Sequence, residues 1–176
     1  MYAMFWYQAR TFGAETIDPR GLFRTDGRYD VYNYEAEPTA GWGNDRVVPY
    51  RKDVGDETRY GYVWVTAWDS REDASQFREA YRRMLDAHGA EERSDGAYVI
   101  PDGEFEDAFR VVQDGRRVVI VNGPTPAAVD GQVRDGVVGA VERSLEPDAL
   151  VPDWNESLPV VPELGNRRVD VGPQGV

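Results

Sequence analysis

The chain has no cysteine, one histidine (His88) and one lysine (Lys52) among its 176 residues. Without cysteine there is no disulfide, no thiolate nucleophile and no cysteine-ligated metal. A lone histidine leaves only carboxylates to complete a zinc site, and it cannot form an H-E-x-x-H helix. Long apolar runs are missing as well: a membrane-spanning helix needs about 20 such residues. The opening MYAMFWYQAR is apolar for only seven residues and has no basic region before them, so it reads as neither a secretory signal nor a membrane span.

Positive charge is also scarce. Against 32 acidic residues stand 20 basic ones, for a net charge of −12. Such a surface repels phosphate backbones and anionic headgroups, so neither nucleic acid nor direct membrane insertion is expected. Abundant Asp and Glu, arginine in place of lysine and little isoleucine suit a protein in concentrated salt. There the Debye length falls to roughly 3 Å and repulsion among carboxylates is screened. A GC-rich coding sequence produces the same arginine bias, and the two causes commonly coincide.

Residues 1–45 are rich in aromatic side chains and are broken by Pro19, Pro38 and several glycines, so this segment is expected to be irregular. Its first twelve residues are apolar all round and need cover, either from the main domain or from chain upstream. An α+β domain is expected over residues 46–146, and a Pro- and Gly-rich extended tail over 147–176.

Within the domain, RVVPY reads as a short strand, and residues 59–68 read as a second one. There Tyr60, Tyr62, Trp64 and Trp68 alternate with Gly61, Val63, Val65 and Ala67, which places rings on one face and small side chains on the other. Ser70 then opens a helix, with Asp73 in the capping-box position. That helix lines up Ala74, Phe77, Tyr81, Met84 and Leu85, and Gly89 follows as its left-handed cap. A strand at AYVI precedes a hairpin centred on Asp114-Gly115, whose Phe109, Val111, Val118 and Ile120 share an apolar face. The opposite face, with Arg110, Val112, Arg117 and Val119, is only half apolar. Thr125 and Pro126 open a second helix that carries Val129, Val133, Val137 and Val141. This order predicts a two-layer α+β sandwich: a mostly antiparallel sheet with one or two helices packed on one face.

The aromatic row has two readings. It is core packed under the helix, as buried rings usually are, or it is an exposed platform for sugar rings or a partner, formed by Tyr60, Tyr62, Trp64 and Trp68. A mixture, with Trp64 buried and Tyr60 at the rim, is a third arrangement.

No catalytic constellation emerges. His88 lies at the end of the long helix, where the dipole favours its charged form, and Ser70 lies at the opposite end. The acidic turn from Asp102 to Asp107 suggests calcium but does not match an EF-hand loop. Nothing singles out two carboxylates for glycoside hydrolysis. GWGND has too few glycines for a phosphate loop. No catalytic residue, cofactor or metal ligand is assigned.

Three blocks, GWGNDRVVPY, YGYVWVTAWDSREDASQFREAYRRML and DAFRVVQDGRRVVIVNGP, together resemble the C-terminal region of a family of haloarchaeal surface proteins. The resemblance spans roughly residues 15–130. Full-length members are longer exported chains whose upstream part is zinc-peptidase-like, with an H-E-x-x-H helix. This chain has no such motif, so no catalytic residue carries over. Together with the acidic composition and the missing catalytic constellation, the resemblance points to a non-catalytic module of a surface-associated protein, at the cell surface or extracellular, with an upstream domain or another surface protein as partner. Two alternatives stand beside it: carbohydrate or partner binding through the aromatic strand, and a remnant or accessory subunit of a metallopeptidase-like protein.

Overall fold

A computed structural model describes residues 1–130, except Asp26, Arg28 and Gly55 and the side chains of Lys52 and Val54. The expected helix beyond Val129 and the tail from 147 lie outside the described residues.

The described fold is α+β. Six strands form one antiparallel sheet: β1 (Trp42–Val54), β2 (Glu57–Trp68), β3 (Glu91–Glu92), β4 (Tyr98–Ile100), β5 (Asp107–Asp114) and β6 (Arg117–Gly123), in the spatial order β1-β2-β6-β5-β4-β3. Helices α1 (Tyr2–Phe12) and α2 (Arg71–Ala87) pack on one face.

Helix α2 forms as its pattern dictates. The Ser70 hydroxyl accepts the Asp73 N–H at 3.1 Å and donates to the Asp73 carboxylate at 2.6 Å. At the far end Gly89 adopts φ 75°, and the N–H groups of Gly89 and Ala90 return to the carbonyls of Asp86 and Leu85. The stripe of Ala74, Phe77, Ala80, Tyr81, Met84 and Leu85 is buried. Phe77 is its hub, with its ring 4.8 Å from Trp68, 5.5 Å from Trp64 and 5.7 Å from Phe5.

Three expectations need correction. The segment 1–45 is not irregular throughout. Tyr2–Phe12 is a helix capped by Gly13 at φ 71°, its Phe5 is fully buried against α2, and Thr16 donates to the Phe5 carbonyl at 2.9 Å. One face of this helix, with Tyr2, Phe5 and Gln8, therefore finds cover within this chain while Tyr7 stays half-exposed, and β1 already begins at Trp42.

The hairpin turns one residue later than expected. Asp114 pairs with Arg117 and Val111 with Ile120, which leaves Gly115 (φ 58°) and Arg116 as the two loop residues. Glycine takes the first loop position because primed turns require positive φ there. Because the slip moves each strand's partner by two residues, Phe109, Val111, Val118 and Ile120 still share the helix-facing side.

The face away from the helices is more apolar than the hairpin alone suggests. Val63 and Val65 of β2 join Val119 and Val121 of β6, all buried, and the 3-10 turn Pro126–Val129 adds Val129. Arg110 is accommodated at this face because its guanidinium donates to the carbonyls of Val129 and Asp95, each at 2.6 Å.

Candidate binding cavity

The even-numbered side chains of β2 point toward the helices, and the row they form is divided. Trp68 is 3% exposed, with its indole N–H bonded to Thr66 at 2.8 Å, and belongs to the core. Tyr60 is 63% exposed, beyond the cover of the helices. Between them, Tyr62 and Trp64 are half-buried and line a partly open cavity of about 370 Å³. The four rings therefore do not make one continuous exposed strip.

The cavity lies where the helices and the sheet do not close completely. Met4 and Gln8 of α1 and Tyr81, Met84 and Leu85 of α2 form its helical wall. Asp45 and Val47 of β1 stand beside Tyr62 and Trp64, and Ile100, Phe105 and Phe109 close the opposite side. Apolar surface dominates and the polar groups are few, which is the usual make-up of a small-molecule site.

Those polar groups are held in place. The Tyr62 and Tyr81 hydroxyls lie 3.0 Å apart. Burial raises the pKa of both, and that of Tyr81 lies well above the ordinary value, so the pair stays neutral. The indole N–H of Trp64 donates to Asp45 Oδ2 at 2.7 Å, which fixes both the ring and the carboxylate. His88 Nε2 lies 2.7 Å from Gln8 Oε1, and since an amide oxygen only accepts, Nε2 carries the proton. The imidazole ring centre is 4.6 Å from that of Phe12 and 4.2 Å from that of Phe105. Burial among them pushes the His88 pKa down. The position at the end of α2 favours the charged imidazole, whereas loss of hydration shifts the ring toward its neutral form. Asp107 has its pKa raised by burial, and Asn122 donates to its carboxylate at 3.0 Å.

Ser70 and His88 cap opposite ends of α2, about 27 Å apart at 1.5 Å per residue. Among the described residues no group of three or more histidine, aspartate or glutamate side chains is placed to hold a metal ion, the Asp102–Asp107 turn included. No helix among them is long and apolar enough to cross a membrane.

Gln8, Asp45 and Phe105 were not singled out from the sequence, because they come from three distant segments and none carries a motif. The unplaced aromatics of the segment before β1 form a separate exposed chain. Tyr34 meets Tyr2 at 5.4 Å and Tyr32 at 6.2 Å, and Tyr32 meets Phe23 at 6.1 Å, with interplanar angles of 63° to 85°. Rings so tilted share no flat face for a sugar.

A family model described as a domain of unknown function (DUF8575) matches residues 1–133. No curated protein and no solved structure matches the chain.

Proposed function

Because the chain belongs to the DUF8575 family, a domain of unknown function, we propose a role from the site itself: a non-catalytic module that binds a small apolar ligand between its helices and its sheet. The observation that carries this reading is the half-buried, partly open cavity of about 370 Å³, with aromatic walls and a few fixed polar groups. Its chemistry favours holding over transforming. The tyrosine hydroxyls bond to each other, and His88 bonds to an amide, so neither arrangement joins a nucleophile to a base.

Titration with N-phenyl-1-naphthylamine, a neutral fluorescent probe, tests the reading. Saturable enhancement is expected with the wild-type chain. It should be lost in Met4→Trp and in Val47→Trp, which fill the cavity from opposite walls, while both variants keep a cooperative unfolding transition. Equal binding by folded variants, or none by the wild type, contradicts the proposal. A reproducible turnover abolished by one point mutation contradicts its non-catalytic part.

A further inference from the structure

The cavity's charge is one-sided. Among the described residues that line it there is no lysine or arginine, and Asp45 is the only formally charged side chain. Asp45 takes part in no salt bridge with a described residue. Its carboxylate is held against the indole edge of Trp64 at 2.7 Å, so the ring and the negative charge sit side by side at the β1 wall. A second carboxylate, Asp107, lies near enough to Tyr62 for its charge to act on that phenol. The chain as a whole carries −12.

Each part of this arrangement disfavours an anion. Aromatic faces carry the negative side of the ring quadrupole and attract cations. A neutral ligand without a hydrogen-bond donor removes water from Asp45 and returns nothing for it, whereas a cation compensates the carboxylate charge as it is desolvated. The remaining polar groups do not alter the balance: the tyrosine pair is neutral, and His88 is engaged with Gln8.

Resting on the cavity reading above, we infer that the ligand is an organic ammonium, with an apolar body among Met4, Met84 and Leu85 and a single cationic head against Trp64 and Asp45. Val47, 52% exposed on the same wall, forms the rim beside the head.

Three probes of matched shape test this by calorimetric titration at low salt: phenyltrimethylammonium, tert-butylbenzene and benzenesulfonate. The cation is expected to bind at least about tenfold more tightly than the sulfonate. That preference should shrink severalfold in Asp45→Asn, whose amide oxygen still accepts the Trp64 N–H and so spares the fold. It should also shrink in Val47→Arg, which places a positive charge at the rim. Equal binding of cation and anion, or a preference unchanged in folded Asp45→Asn, overturns the ammonium assignment. Binding of tert-butylbenzene alone overturns it too but leaves the cavity reading standing. Failure of all three probes overturns both.

Discussion

His88 illustrates at the scale of one residue how burial acts on a titratable side chain. An imidazole at a helix C-terminus is stabilised as the cation, yet here the ring lies between Phe12 and Phe105 and its pKa is lowered. The sign of the consequence follows. The folded pKa is below the 6.5 of a free imidazole, so on acidification the unfolded chain takes up the proton first. Stability owed to this group is complete above about pH 6.5 and falls as the pH drops toward the folded value. Urea denaturation across that window should show the decline in the wild type and a flatter profile in His88→Gln. A steeper decline in the variant would contradict the assignment. Asp107 acts with the opposite sign, since its raised pKa means that stability falls as the pH climbs from 3.8 toward the folded value. Comparing variant with wild type at each pH separates the two groups.

At the scale of elements, most of the fold was legible in the sequence because local chemistry and periodicity agreed. Ser70, the buried stripe and Gly89 set out α2 from cap to cap, and the side-chain alternation of β2 and β5 matches the faces those strands present. What misled was information that no single segment holds. The apolar back face is made by β2 and β6 together, so the hairpin alone understated it. Helix α1 was obscure because an apolar-all-round segment shows no periodicity, and its place is fixed by α2, 59 or more residues away along the chain, counted from Phe12 to Arg71. The contact between β2 and β6 also explains Gly61. A Cβ there would lie 2.6 Å from the backbone oxygen of Asn122, closer than side chains tolerate. Gly61→Ala is therefore expected to destabilise by about 1–3 kcal/mol in urea denaturation, through forced separation of the two strands. Gly43→Ala, whose Cβ would meet only ordinary contacts on edge strand β1, should change stability by less than about 0.5 kcal/mol. Equal effects at the two positions would show that the β2–β6 approach is not as close as described.

At the scale of the whole molecule, the candidate site was the least legible feature. Tyr62 and Trp64 stood out as members of the aromatic row, but the cavity exists only because α1, α2 and four strands or loops leave a gap around them. Gln8 meets His88 across 80 positions of sequence, and Asp45 meets Trp64 across 19, so no motif spacing could have brought these partners together. The choice between core and platform also dissolves at this scale. The same strand face is core at Trp68, cavity wall at Trp64 and Tyr62, and surface at Tyr60. Composition and architecture point the same way: a chain of net charge −12 surrounds an apolar space whose only formally charged lining side chain among the described residues, Asp45, is negative. The chain offers its own reporters, since it has only three methionines and two of them, Met4 and Met84, line the cavity. The measurement that tests the central claim most directly is a methyl-detected NMR titration of protein labelled at the methionine methyl carbons, with tert-butylbenzene and then phenyltrimethylammonium added. Saturable shifts of the Met4 and Met84 signals, larger than that of Met1, are expected with at least one probe. Signals that stay in place, or that all drift together without saturation, would contradict a ligand site between the helices and the sheet.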